Sequence, residues 1–286
     1  MKLIRFGEFE KEKPGVIMND KWLDVSEFIT DYDERFFEEE RLLQLKKILS
    51  EKQKNLKPIN KNTRLGPPVA RPSKIICIGL NYIDHAKETG AAIPLEPIIF
   101  FKSTTSLCGP FDDVVIPKNS KKTDWEVELA LVISKKASYI EEKNAMDYVA
   151  GYCLHNDYSE REFQLERGGQ WVKGKSCDSF APLGPFLATT DEIEDANNLK
   201  MWLSVNGKTF QNSNTSNLIF KIPFLIHYIS HFMTLLPGDV ISTGTPPGVG
   251  LGIKPIPVYL RAGDKVELGI EGLGTQIQNA KNYADR

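Results

Sequence analysis

The sequence lacks paired cysteines, a surplus of charge of either sign and any long apolar run. Its four cysteines, Cys77, Cys108, Cys153 and Cys177, lie far apart with no Cys-x-x-Cys spacing. That pattern suggests neither a zinc site nor a disulfide framework, and it fits a reducing compartment. Lys plus Arg number 36 against 38 for Asp plus Glu, a net charge of -2. Such a balance gives no general attraction to nucleic acid or acidic membranes and leaves small-molecule chemistry as the better expectation. No stretch approaches the roughly 18 apolar residues that span a bilayer. The opening Met1–Glu8 holds no apolar run of signal-peptide length, so a cytoplasmic protein is expected. Internal repeats and low-complexity segments are also missing.

What is present suffices for a folded body: 286 residues, 41% of them hydrophobic, can bury one large core or two smaller ones. Residues 2–25 read as short strands and turns: Leu3–Phe6, a turn near Pro14-Gly15, Val16–Met18 and Trp22–Val25. Between 33 and 55 the chain is charged, with apolar residues at Phe36, Phe37, Leu42, Leu43, Leu45, Ile48 and Leu49, a pattern for one or two surface helices. The proline-bearing link Gly66–Pro72 sets a boundary between a small N-terminal α/β domain, 1–70, and a larger domain, 71–286. Beyond it, strand-like runs recur at Lys74–Gly79, Pro97–Phe101, Val114–Ile116, Glu126–Ile133, Tyr148–Leu154, Lys200–Val205, Val240–Ser242, Val258–Leu260 and Lys265–Ile270. Helical patterns cover only about 158–167 and 221–235. The balance predicts a β-rich α+β fold rather than alternating βαβ units.

One strand carries the first chemical signal. Glu126 and Glu128 are two residues apart in a run that turns apolar, so both carboxylates share a strand face. Two like charges in apolar surroundings need a proton, a basic partner or a cation, and a hard divalent ion is the usual answer. The alternative is a solvated face near Lys121 and Lys122. Asp157 has two readings as well. With Glu160, it fits a helix capping box; if Ser159 caps instead, paired with Glu162, Asp157 is free to join the two glutamates as a third oxygen ligand.

Other residues carry weaker signals. His85 lies in a polar loop after a buried strand, and Glu88, three residues on, could hold its imidazole in one tautomer, which suits a general base. His227 and His231 have the spacing of a zinc helix but lack its Glu and sit among apolar residues, so they read as packing or surface groups. Gly169–Ser176 matches the phosphate-loop pattern with the wrong surroundings, a helical segment before it and no helix after, so nucleotide binding is rejected. Lys175 in that run remains a cation to set beside the carboxylates. Thr243–Gly250 is a constrained turn without a phosphate-binding lysine; a plain loop, it could still present Thr245 to a ligand.

Taken together, six segments in order resemble the fumarylacetoacetate hydrolase family over roughly residues 72 to 283. They are Gly79-Leu80-Asn81-Tyr82-x-x-His85, Asp124–Ala130, Asn156-Asp157-x-Ser159-x-Arg161-x-x-Gln164, Gly174-Lys175-Ser176-x-Asp178, Pro182–Pro185, and Pro237–Ile241 with Thr243–Pro246. The resemblance implies a mixed β-sandwich roll with a small N-terminal domain, a homodimer, and Mg2+ or Mn2+ held by Glu126, Glu128 and Asp157. It further implies a water-activating His85–Glu88 dyad on a lid, Lys175 as oxyanion or enolate stabiliser, and Arg161, Gln164 and Thr245 orienting a small keto-acid substrate. Substrate side-chain specificity is expected from the lid, Ala86 to Pro97. Larger members that cleave fumarylacetoacetate have a further metal-binding Asp where this chain has Ile78, which sets that substrate aside. The activity so implied is hydrolysis of a carbon–carbon bond in a 2,4-diketo acid, a 2,4-diketo-3-deoxy sugar acid first and an acylpyruvate next, giving pyruvate and a carboxylic acid. Ureidoglycolate cleavage, oxaloacetate decarboxylation and keto–enol isomerisation would use the same centre, and a metal-stabilised binding protein is the non-catalytic alternative.

Overall fold

The computed structural model describes residues 1–84 and 92–285. Its largest element is a ten-stranded mixed sheet. In spatial order the main path runs Lys21–Asp24, Lys13–Met18, Lys2–Phe6, Leu187–Thr189, Val149–Asn156, Val127–Ile133, Val240–Ser242, Ile75–Gly79 and Ile98–Lys102, with Leu65–Gly66 paired to Lys2–Phe6. A second sheet of five strands holds Lys208–Asn214, Lys200–Val205, Lys265–Ile270, Gly274–Asn282 and Val114–Ile116. The fold is the β-rich α+β class that the residue patterns predict.

The central strand Val127–Ile133 is buried along its whole length. Its odd-numbered residues, Val127, Leu129, Leu131 and Ile133, join Leu203, Leu268 and Ile270 of the second sheet in one core. Ala130 and Val132 face the other way, into a core shared with Leu3, Val16, Phe36, Phe37, Leu45 and Leu49. Strand alternation therefore gives the large sheet two buried faces, the second one covered by residues from the first fifty. Glu128 lies on that second face, one pleat before Ala130.

Residues 1–70 are stitched into the same sheet, because Leu3 pairs with Leu187 and Lys2 with Ala188. The charged stretch after residue 33 forms the helices Glu34–Phe37 and Glu39–Lys52. The first is capped by the Asp33 side chain, which accepts from Phe36 N at 3.1 Å. Of the two helical patterns beyond residue 100, Ile222–Ser230 is an α-helix with proline in its first turn, and the other shrinks to a π-helical turn, Glu162–Glu166.

One strand assignment needs correction, and two long strands stand where none is expected. Val258–Leu260 is not a strand: Val258 N donates to Gly250 O and Leu260 N to Thr123 O, so its amides tie loops together. Lys208–Asn214 and Gly274–Asn282 are strands that hydrophobic alternation does not reveal. Their inward positions hold Gln211, Gln276 and Gln278, buried amides where the pattern would need apolar groups. Gln276 Nε2 donates to the carbonyls of Leu154 and Gly184, each at 2.9 Å, which satisfies the buried amide. Among the described residues, no helix is long and apolar enough to cross a membrane.

Candidate metal centre and active site

The site forms where two antiparallel neighbours begin and end. Val127 pairs with Asn156 and Glu128 with His155, so Glu126 and Asp157 are adjacent just beyond the ladder. Asp157 N donates to Glu126 O at 2.9 Å, and Asn156 Oδ1 accepts from Glu126 N at 3.0 Å, which fixes both backbones. Glu126, Glu128 and Asp157 then offer oxygens that all lie within 4.8 Å of one another. All three side chains are buried, at 6%, 1% and 0% exposure. Asp157 caps nothing. Ser159–Glu160 is a short strand against Thr123–Asp124, and both capping-box readings fall with it.

Three buried cations face these carboxylates. Lys175 Nζ donates to Glu126 Oε2 at 2.6 Å and Asp157 Oδ2 at 2.7 Å. Arg161 pairs with Glu126 Oε1 at 2.7 Å and with Asp124 Oδ2 at 2.8 Å. Lys102, fully buried at the end of its strand, donates to Asp157 Oδ1 and, at 3.0 Å, to Tyr158 O. Burial works to raise the Asp157 pKa, but Lys102 and Lys175 outweigh it and hold the carboxyl well below its usual range. Burial likewise opposes charge on Lys175, and Asp157 and Glu126 overcome it, so its pKa is raised. Glu128 goes the other way. Burial first, then the charges of Asp157 and Glu126, push it well above an ordinary carboxylate. It is the member of the trio whose ionisation most calls for a further positive charge.

Local structure brings the cations in. Lys175 ends the short helix Val172–Lys175, which packs on the Glu162–Glu166 turn so tightly that a Cβ on Gly174 would lie 2.4 Å from Glu160 O. The same turn sets Arg161 Nη1 3.0 Å from Gln164 Oε1. Asp124 joins this cluster to the opposite wall, since its carboxylate also accepts from the backbone amides of Gly250 and Leu251 at 2.6 and 2.9 Å. Thr245 Oγ1 donates to Val127 O at 3.0 Å and accepts from Gln211 Nε2 at 2.8 Å.

Above the carboxylates opens a cavity of about 440 Å³. Glu126, Glu128, Arg161, Gln164, Lys175 and Thr245 contribute its polar lining, and Ile78, Leu80, Phe100, Leu165, Trp171 and Leu251 are among its apolar walls. Every site residue read from the sequence that is described thus meets at one place. His85 and Glu88, with residues 86–91 of the expected lid, lie outside the described residues. His227 and His231 are held by carbonyls, Nδ1 of each 2.7 and 2.8 Å from Ile140 O and His227 O, as packing groups would be. The phosphate-loop match is a helical turn whose lysine points into carboxylates. Lys102, His155 and Ser242 escaped the sequence reading. A lysine closing the apolar run Ile98–Phe101 was the one available signal for Lys102.

Three converging carboxylates with no sulfur or imidazole among them make a donor set for a hard divalent cation, and the buried Glu128 fits that need. A strand-rich fold with such a centre beneath a small cavity defines a small-molecule site. Residues 74–280 match the fumarylacetoacetate (FAA) hydrolase C-terminal family, and the chain belongs to that family. A Burkholderia ambifaria relative with only a provisional description as a hydrolase is 50% identical over 283 residues, 99% of each chain. Among solved structures, fumarylacetoacetate hydrolase from Exiguobacterium antarcticum is 32% identical, with a TM-score of 0.84 over 99% of both chains. Maleylpyruvate hydrolase from Sphingobium sp. SYK-6, in complex with manganese (II) ion and pyruvate, is 29% identical, with a TM-score of 0.81 over 99% of both chains. The 5-carboxymethyl-2-hydroxymuconate delta-isomerase of Mycobacterium smegmatis is 31% identical, with a TM-score of 0.77 over 99% of both. Hydrolases and isomerases thus share this architecture.

Proposed function

We propose that the protein is a divalent-metal-dependent hydrolase that splits a 2,4-diketo acid into pyruvate and a carboxylic acid. The observation that carries this reading is the convergence of Glu126, Glu128 and Asp157 with Lys175 at the floor of one cavity. The manganese and pyruvate in the Sphingobium enzyme support it by likeness. Glu126, Glu128 and Asp157 would hold Mg2+ or Mn2+, and a bound ion supplies Lewis-acid polarisation to the 2-oxo acid end of the substrate.

The chain's own groups account for the rest. Arg161, Gln164 and Thr245 line the cavity and would orient the substrate carboxylate and oxo groups. His85, with Glu88, is assigned the proton of the attacking water from the sequence resemblance. The water oxygen bonds to C4 and the C3–C4 bond breaks. Its electron pair leaves on the pyruvate enolate, which takes at C3 the proton that His85 would have drawn from the water. Lys175 Nζ, charged and buried at the cavity floor, would stabilise that enolate. Apolar side chains such as Leu165, Trp171 and Leu251 would receive the acyl portion.

Pyruvate release from a panel of acylpyruvates and 2,4-diketo-3-deoxy sugar acids, with Mn2+ or Mg2+ and again with excess chelator, tests the reading. Metal-dependent pyruvate from one compound names the substrate class. Tight metal binding without pyruvate from any would sink the hydrolase reading and favour isomerisation, which the likeness to the Mycobacterium isomerase supports, with oxaloacetate and ureidoglycolate tried next. A homodimer in the cytoplasm is the corresponding assembly and location; light scattering on the purified chain tests the first.

A further inference from the structure

His155 is 1% exposed and its Nε2 has no hydrogen-bond partner among the described residues. Its other ring nitrogen, Nδ1, lies 2.7 Å from Ser242 Oγ. Ser242 Oγ in turn lies 2.5 Å from Glu128 Oε2 and donates to it. A hydroxyl has one hydrogen, so once it is given to Glu128 the contact with His155 must run the other way, Nδ1–H donating to Oγ. This fixes the tautomer and leaves Nε2 as a bare lone pair in the interior. A buried acceptor without a donor is unfavourable, a penalty that a smaller apolar residue would remove.

The relay delivers orientation. Glu128 Oε2 accepts twice, from Ser242 Oγ and from Gly244 N at 3.0 Å, while Oε1 takes no hydrogen bond from the described residues. Gly244, at φ +102, is squeezed so that a Cβ would lie 2.9 Å from Asn81 Cβ, and its amide is held at the carboxylate. Register explains the meeting: Glu128 opposes His155 on one side, while Ala130 opposes Ser242 on the other, so all three side chains share a sheet face.

We propose that His155 is a positioning residue for the metal centre, acting through Ser242 to hold Glu128 with Oε2 occupied and Oε1 offered to the cation. The proposal rests on the metal reading above and adds two residues to it. Outer partners that orient a ligand commonly change metal affinity by about 10–100-fold when removed.

Calorimetric titration of Mn2+ into the chelator-stripped full chain tests it, using His155→Asn, His155→Gln and Ser242→Ala. Asparagine can place an amide N–H where Nδ1–H stands, so His155→Asn should bind Mn2+ close to wild type. Glutamine has similar bulk but carries its amide toward the Nε2 position, so His155→Gln should bind about 10-fold or more weakly. Ser242→Ala should lose a similar factor. The double variant Ser242→Ala/His155→Gln should be no weaker than Ser242→Ala, because the two act along one chain. Equal affinities for the Asn and Gln variants, or additive losses in the double variant, overturn the proposal. If His155→Gln proves unfolded by circular dichroism, Ser242→Ala decides alone, and wild-type affinity there overturns it. Wild-type protein that binds no Mn2+ removes the metal reading itself, and this inference with it.

Discussion

Lys175 Nζ stands 2.6 Å from Glu126 Oε2, and the same ammonium reaches Asp157. One cation thereby ties together two of the three carboxylates that would bind the metal. Lys175→Met leaves both acids short of a buried partner, a loss of about 3–5 kcal/mol in comparable pairs. The metal-free variant should melt well below wild type, and Mn2+ should raise its melting temperature more than it raises that of wild type. Calorimetry with chelator and with Mn2+ checks this. Turnover should fall by about 100-fold or more in the same variant.

Glu126→Gln and Asp157→Asn each remove one carboxylate from the proposed donor set. Both should weaken Mn2+ binding and abolish metal-dependent pyruvate release, and unchanged Mn2+ titrations would remove these residues from the donor set.

His85→Ala separates base from ligand. Pyruvate formation should drop by about 10²–10⁴-fold while Mn2+ affinity holds. Wild-type turnover would return the base assignment to another group.

Acid stability offers an independent check on His155. Burial lowers its pKa to about 3, from the ordinary 6.5 of an exposed imidazole in the unfolded chain. A lowered folded-state pKa means stability that is present above pH 6.5 and lost as pH falls toward 3, because the unfolded chain binds the extra proton. Wild type should therefore lose about 1.4 kcal/mol more per pH unit than His155→Asn across that window. Urea melts from pH 7 downward in chelator measure the difference, and parallel curves would mean that the ring is not held neutral.

Gly174→Ala should destabilise by about 1–3 kcal/mol, since the new methyl meets Glu160 O at 2.4 Å and backbone must move. The displaced helix carries Lys175, so turnover should fall further than stability alone explains.

The pairing of Glu126 with Glu128 was legible because its signal is local, two glutamates two apart in a strand, whereas Asp157 had a capping alternative that only the register of its strand removes. Lys175 and Thr245 stood out in their own loops, Arg161 and Gln164 only through the motif resemblance, and the fold brings all four to the same cavity. Lys102 and Ser242 were not legible. Each reaches the centre only through sheet order, Lys102 from an outer strand and Ser242 from a strand inserted between two others. Strands lined by Gln211, Gln276 and Gln278 escaped for a different reason. A buried amide satisfied by carbonyls looks, in sequence, like a solvated one.

The strand Val240–Ser242 lies between Val127–Ile133, to which it is antiparallel, and Ile75–Gly79, to which it is parallel. During synthesis both flanking strands leave the ribosome more than a hundred residues before it. Until it arrives the middle of the sheet has a gap, and Glu128 lacks Ser242 and Gly244. The contacts of Glu128 are therefore completed late: a chain halted at residue 239 carries all three acids but lacks the Ser242 hydroxyl and the Gly244 amide that Glu128 accepts from. Long-range closure of this kind is slow. A carboxylate oriented by so distant a strand reports on completed closure of the sheet.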